Sequence, residues 1–424
     1  MLLYILGFFI LCVILFFMYI RLRYKFWVLQ PVFHFYDLYY WFINVGIIRH
    51  ELPTKNRYVN LKKIKVNQFE NIDKLTKDQI IMLVQMNYFT DKENKENKYY
   101  PKAENILPYF VGHNIKTFWS YFLETELLID NKTGKTIEEN KIVGAMTSRP
   151  LHVKILKNCN NNNIEFDIYY VDYLCVNKNW RKKNIAPQLI QTHEYIQSHE
   201  NKSISVSLFK REEELTGIIP LTLYKAYCFN MWKWTEPIQL DNRISVLTGD
   251  KQNMYYFYNF INSLKNKHKN KNSDKYNDNE YYRNKFDIII YPEIRNIIEL
   301  IVTNNIYIKM LVVDNDIEAI YIFRKTCTFI EKDKEILSCV ASINGTNKVL
   351  SMDEFIHGFK VSLWSILKEH NNFKYLTIED ISDNKYIINN LCIKTHPIAI
   401  SPMAYFFYNF AYNPFKSEKC LIIN

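Results

Sequence analysis

Apolar and polar positions along the chain fall into patterns that each predict an element. The first is an unbroken apolar run over residues 2–20, with no charge and only Gly7 as a weak helix breaker, followed at once by Arg21, Arg23 and Lys25. A run of about 20 apolar residues crosses a hydrocarbon core as one helix. Basic residues on its C-terminal side orient the remainder of the chain toward the cytoplasm. A cleaved signal peptide would want a basic start, a shorter apolar core and a small-residue cleavage site. Residues 1–23 are therefore expected to form a signal anchor, with a buried helix of a soluble domain as the alternative. The protein is then single-pass in the membrane, with its main body facing the cytoplasm.

Short apolar runs predict strands. Residues 142–155 and 164–176 read as an antiparallel pair joined by the Asn-rich residues 158–163, and strands are also expected at 309–313, 319–323, 336–343 and 375–378. Helical spacing appears where Thr76 and Gln79, in a capping-box arrangement, precede Ile80, Ile81, Leu83 and Val84. It appears again where Phe355, Phe359, Leu363 and Ile366 share one face. Residues 265–279 are dense in Lys, Asn and Asp without apolar periodicity and read as a disordered insert. Mixed strands and helices in both halves predict two α+β domains, 24–235 and 236–424, with the boundary near residue 235.

Composition narrows the chemistry. The 424 residues carry a formal net charge of +10, which suits anionic partners such as cofactor phosphates or a membrane surface. The basic residues form no aromatic-interleaved stripe, zinc-finger or RRM signature, so no nucleic-acid partner is expected. The 8 cysteines are scattered, with no Cys-x-x-Cys pair and no histidine at zinc spacing. They read as reduced core thiols, and no metal is expected.

The most informative stretch is Tyr173-Leu-Cys-Val-Asn-Lys-Asn-Trp-Arg-Lys-Lys-Asn-Ile-Ala-Pro-Gln-Leu-Ile190. An apolar run from Ile168 to Val176 ends at Asn177, a basic turn follows, and an apolar-periodic segment opens at Ala186. Strand, cationic turn and helix N-terminus are a layout for holding phosphate, because free backbone N–H groups and the helix dipole point at the anion. A solvated basic turn after a core strand is the plain alternative. The string resembles the coenzyme A pyrophosphate loop of GNAT acyltransferases. It is more similar still to the N-myristoyltransferase motif Phe-Leu-Cys-Val-His-Lys-x-Leu-Arg-x-Lys-Arg-Leu-Ala-Pro-x-Leu.

Further motifs follow in the same order as in that family. Tyr24-Lys-Phe-Trp27 with Gln30-Pro-Val32 resembles the start of the family core, Asn87-Tyr88-Phe89 its Asn-Tyr-Val, and Ile142 to Pro150 a scaffold strand. Thr216-Gly-Ile-Ile-Pro220 resembles its Thr-Ala-Gly-Val-x-x-Pro turn, and Tyr405-Phe-Phe-Tyr-Asn-Phe410 with Ser417 to Asn424 resembles its C-terminus. By physics alone Phe26 and Trp27, beside basic residues, would also suit an interfacial aromatic belt. Peptide-side positions depart from the family. Lys92, Lys95 and Lys98 interrupt the acidic run of Asp91, Glu93 and Glu96; Lys225-Ala226 replaces Trp-His; and Ala399-Ile400-Ser401 replaces Gly-Asp-Gly.

The resemblance implies two tandem GNAT-like domains after the anchor, the first binding acyl-CoA and the second the peptide. It implies myristoyl-CoA as co-substrate and protein N-terminal glycines as acceptors. Tyr24, Lys25, Phe26, Trp27, Asn87, Tyr88, Leu174, Cys175, Val176 and the turn Arg181, Lys182, Lys183, Asn184, Ile185 and Ala186 are then the acyl-CoA residues. The peptide residues are Phe89, Asp91 and Tyr224. The N–H groups of Tyr173 and Leu174 would hold the thioester oxyanion, the Asn424 carboxylate would act as base, and Thr216 would position the amine. Leu421, Ile422 and Ile423 favour burial of that chain end, against the usual fraying of termini. Two alternatives stay open: an acyltransferase for lysine acceptors, and a non-catalytic membrane adaptor that binds acyl-CoA or myristoylated tails.

Overall fold

The computed structural model describes residues 2–23, 26–89, 98–129, 136–156, 163–212, 217–268, 281–331, 333–347 and 349–424. Its framework is one large mixed sheet. From one edge the strands run Ile64–Gln68, Phe118–Ile129, Thr136–Ile155, Ile164–Val176, Ser207–Glu212, Ala399–Tyr408, Thr222–Asn230, Phe373–Glu379, Glu335–Asn344, Asp316–Phe329, Ile306–Val313 and Ile244–Thr248. The Thr136–Ile155 strand is long enough to serve two neighbours. Its first part pairs with Phe118–Ile129, and its last residues pair with Ile288–Tyr291.

The same unit occurs twice. In the first half an antiparallel set ends in Ile164–Val176, which crosses through helix Ile185–Glu200 to the parallel strand Ser207–Glu212. In the second half Glu335–Asn344 crosses through helix Met352–Glu369 to the parallel strand Phe373–Glu379. Parallel neighbours need such a crossover, since a tight turn only reverses the chain. The halves also exchange strands. Ala399–Tyr408, near the C-terminus, lies between Ser207–Glu212 and Thr222–Asn230, so the sheet runs unbroken past residue 235.

Helix Met352–Glu369 buries Phe355, Phe359, Leu363 and Ile366, the face expected from the sequence. It opens on a capping box in which Ser351 and Glu354 bond each other's backbone N–H groups. Helix Lys74–Asn87 begins earlier than its expected Thr76 start, because Asp73 accepts the Thr76 N–H at 2.8 Å. Part of the expected disordered insert is also ordered: Lys265–His268 pairs with Tyr281–Asn284, while 269–279 lie outside the described residues. The chain end is buried as expected. Cys420–Ile422 pairs in parallel with Ile288–Tyr291, and Asn424 is 2% exposed.

Helix Leu2–Arg23 is long and apolar enough over Tyr4–Leu22 to cross a membrane. It is exposed along most of its length. Its C-terminal end touches the body of the protein, with Ile20 buried, Phe16 against Phe35 and Phe17 against Tyr36.

Candidate active site

The site starts from a fault in the sheet. Ile164–Val176 and Ser207–Glu212 are paired only at Tyr169–Ser207, Tyr170–Leu208 and Val171–Phe209, and beyond Val171 they part. On the other side the register slips, since Tyr173 and Leu174 lie between the pairs Thr147–Asp172 and Ala145–Cys175, where the partner strand has Met146 alone. Tyr173 adopts a left-handed backbone, φ 49°. An extra residue of this kind is a bulge, and it bends and twists the strand that carries it. Here it turns the backbone at Tyr173 and Leu174 out of the ladder, beside the gap.

The strand then ends in the basic turn. The Asn177 side chain accepts the Asn179 N–H, Lys178–Trp180 make one 3₁₀ turn, and Lys182 and Asn184 are left-handed at φ 66° and 58°. Helix Ile185–Glu200 follows with no side chain capping its first turn. Alternation of left- and right-handed residues gathers N–H groups into an anion-binding concavity, and an uncapped helix start adds its own free donors. Lys182 and Lys183 are exposed beside it, with the Lys183 ammonium 4.0 Å from the centre of the Trp180 ring. Arg181 has a different job. Its guanidinium donates to the Val176 and Asn87 carbonyls, at 3.2 and 2.6 Å for Nε and Nη2, and ties the turn to helix Lys74–Asn87.

A cavity of about 770 Å³ lies where the strands part. One arm is walled by Trp27, Ile190, Glu194, Ser207, Phe209 and Tyr408, and Trp27 stacks on Phe209, which stacks on Phe406. The other arm is walled by Tyr99 and Tyr109 and reaches the second half at Arg324 and Thr328. Tyr173, Leu174 and Asp172 line the cavity at the junction.

Charges meet at this junction. Glu379 accepts the Lys210 ammonium at 2.9 Å and the Tyr224 hydroxyl at 2.7 Å, with Arg324 at 3.8 Å. Burial pushes the Glu379 carboxyl up, but Lys210 and Arg324 outweigh it and hold the group below the ordinary range. Arg324 also donates to the Asn424 main-chain oxygen at 3.2 Å, and the Tyr405 hydroxyl donates to the Asn424 side-chain oxygen. Asp172 is in a different state. Its Oδ1 accepts the Tyr173 N–H at 2.8 Å. Burial raises its carboxyl above the ordinary range against the pull of Arg149, Arg324 and Lys210.

The expected site residues separate into several groups. Trp27, Tyr88, Phe89, Tyr173 and Leu174 line the cavity. Phe26 supports Trp27 ring to ring at 5.2 Å. Asn87 is a joint rather than a wall: its side chain donates to the Leu83 carbonyl and accepts the Lys178 N–H. Cys175 faces the core with its thiol against the Leu83 carbonyl, and burial pushes that thiol up to about 12. Val176 and Ile185 pack together beside Leu189, while Ala186 follows in the first turn of the helix.

Tyr224 is buried beneath the cavity and reaches it through Glu379. Asn424 lies behind Arg324, which is the residue that lines the wall. Tyr24, Lys25, Asp91 and Thr216 lie outside the described residues. Asp172, Lys210, Arg324, Glu379 and Glu194 were missed from sequence. For Asp172 a signal existed: it is the one charge inside the apolar run from Ile168 to Val176.

Among the described residues no group of three His, Cys, Asp or Glu side chains gathers in a way that could hold a metal. A scan against protein-family models and a search of curated proteins find no match. Solved structures do match. Saccharomyces cerevisiae N-myristoyltransferase with bound myristoyl-CoA aligns at 12% identity and TM-score 0.64, over 93% of this chain and 94% of that one. The same enzyme with bound myristoyl-CoA and inhibitors aligns at 13% identity and TM-score 0.66, over 93% and 91%. A tandem GNAT protein from the clavulanic acid biosynthesis pathway aligns at 10% identity and TM-score 0.50, over 83% of this chain and 100% of that one. The chain therefore has the α+β fold of two tandem GNAT-like units, in the arrangement seen in N-myristoyltransferases, preceded by one apolar helix.

Proposed function

We propose that the chain is an acyltransferase that moves myristate from myristoyl-CoA to the N-terminal glycine amine of proteins, working at a membrane to which residues 2–20 anchor it. The observation that carries this reading is the bulged strand end at Tyr173 and Leu174, set between an anion-binding turn and a two-armed cavity. The phosphates of CoA suit the free N–H groups around Lys182–Ala186. The carrier then follows the parting strands to the bulge, and the acyl chain takes the arm walled by Trp27, Phe209 and Ile190. The arm beyond Tyr99 and Tyr109 takes the peptide, with Phe89 at its margin.

In this reading the amine attacks the thioester carbonyl directly. Backbone N–H groups of Tyr173 and Leu174 receive the charge that develops on its oxygen, as donors aimed at a developing oxyanion do. No thiol nucleophile takes part, since Cys175 is turned into the core and stays protonated. Deprotonation of the amine falls to a carboxylate. The one that the family resemblance assigns, Asn424, is held by Arg324.

The test uses the full chain in lipid nanodiscs with myristoyl-CoA and a library of glycine-initiated peptides. Amide-linked myristate on the N-terminal glycine, with equal release of CoA, is the expected product. Modification of lysine side chains alone would favour the lysine acceptor. Tight acyl-CoA binding with transfer to neither would favour the adaptor.

A further inference from the structure

Of the carboxylates at the junction, two are committed. Glu379 is saturated by Lys210, Tyr224 and Arg324, and the Asn424 main-chain oxygen is held by Arg324 behind the cavity wall. Glu194 lies on the far arm, on helix Ile185–Glu200, with its carboxylate on the Ser198 hydroxyl, and Glu212 is an exposed lining residue at the end of its strand. Asp172 alone stands on the wall immediately before the bulge, one residue from the first of the two backbone donors. Its bond to the Tyr173 N–H occupies the donor that the thioester oxygen would need.

Building on the acyl-transfer reading above, we propose that Asp172 is a catalytic residue: it receives the acceptor's N-terminal ammonium, takes its proton, and in doing so frees the Tyr173 N–H for the oxyanion. The proton moves from the ammonium to the Asp172 carboxylate, leaving a neutral amine. The nitrogen lone pair forms the C–N bond, and the carbonyl pair shifts to oxygen. Collapse of that oxyanion breaks the C–S bond, and the second amine proton goes to the departing CoA sulfur. Asp172 then returns its proton to solvent. A neutral carboxyl is a weaker acceptor than a carboxylate, so the Tyr173 N–H is released as negative charge arrives beside it. Base and oxyanion donor are thus coupled through one hydrogen bond.

The surroundings suit the role. Burial raises the Asp172 carboxyl and makes it a better proton acceptor than a solvated aspartate, while Arg149, Arg324 and Lys210 pull the other way. The other titratable groups near it are Tyr88, Tyr99, Tyr109, Tyr170 and Tyr173, all raised by burial and so neutral at physiological pH.

The experiment compares the full chain in nanodiscs as wild type, as Asp172→Asn, and with one alanine added after Asn424. Transfer to a glycine-initiated peptide, acyl-CoA affinity and the pH profile of kcat/KM are read for each. Loss of general-base action costs about 100-fold or more in rate. Asp172→Asn is expected to lose at least that much in kcat, to bind acyl-CoA within threefold of wild type and to lose the acid limb of the profile. The added alanine shifts the terminal carboxylate by up to about 3.5 Å and is expected to cost less than tenfold. Wild-type transfer with Asp172→Asn within threefold of it, or a collapse confined to the extended chain, overturns the role of Asp172 and leaves acyl transfer standing. No transfer by wild type overturns both. Should Asp172→Asn fail to fold, the wild-type acid limb still decides: the role requires it above the ordinary aspartate value of about 4, and a limb at that value contradicts it.

Discussion

Cys175 occupies the position most easily mistaken for a nucleophile, next to the bulge that would hold a thioester. Its thiol, pushed up to about 12 by burial against a small opposing pull from Arg181, supplies no thiolate at neutral pH. Cys175→Ala should keep transfer within about threefold, and the native thiol should resist alkylation at pH 7.5; a hundredfold loss on substitution would signal an acyl-enzyme. Glu194 makes a second prediction at this scale. Burial raises its carboxyl to about 7, with Ser198 and Arg49 pulling the other way. The folded protein thus holds that proton more tightly than the unfolded chain does. Its contribution to stability is full below about pH 4.5, the unfolded value, and is lost as pH rises through 7. Urea midpoints measured at pH 5 and pH 8 should differ less in Glu194→Gln than in wild type, and an unchanged difference would remove Glu194 as the source.

At the scale of elements, the approach of helix Ile185–Glu200 to the sheet fixes the basic turn. The approach is close because Gly144 has no side chain. A Cβ there would meet Leu189 Cδ1 at 2.9 Å and Ile185 Cγ2 at 3.1 Å. Gly144→Val should push the helix start outward, weaken acyl-CoA binding about tenfold and cost about 1–3 kcal/mol in stability; calorimetry and chemical unfolding check both. If affinity stays at the wild-type value, the helix start does not grip the phosphates.

Much at this level is legible in the sequence. A short apolar run marks the strand ending at Val176, and period-3.6 spacing marks the helix carrying Phe355, Phe359, Leu363 and Ile366, because burial imposes both patterns. The bulge at Tyr173 is not legible, since a tyrosine in an apolar run gives no sign of a left-handed backbone. Nor is the double use of the Thr136–Ile155 strand, which depends on partners far along the chain. Arg181 shows the opposite failure. Its charge suggested a phosphate contact, but its geometry spends it on two backbone carbonyls.

Across the whole molecule, the two GNAT-like units differ in the feature that matters. In the first, the parallel pair is joined at three positions and then opens. In the second, Glu335–Asn344 and Phe373–Glu379 stay paired from Glu335–Phe373 to Cys339–Ile378. A closed pair leaves no gap for a carrier, so one acyl-CoA should bind per chain in titration calorimetry, and two would mean that the second unit opens. The exchange of Ala399–Tyr408 into the first half joins the units into one sheet, and sequence could not reveal it because the pairing spans about two hundred residues. The terminal motif was legible as a buried end. That Arg324 would hold the Asn424 main-chain oxygen was not, because Arg324 lies in a strand a hundred residues away.

The central claim is that the opened strand pair brings an acyl thioester and an amine together. Mass spectrometry of a glycine-initiated peptide, incubated with the nanodisc-borne full chain and myristoyl-CoA, measures this most directly. The account predicts one myristoyl group in amide linkage on the N-terminal nitrogen, matched by one CoA released. Saturable acyl-CoA binding with an unmodified peptide would contradict it.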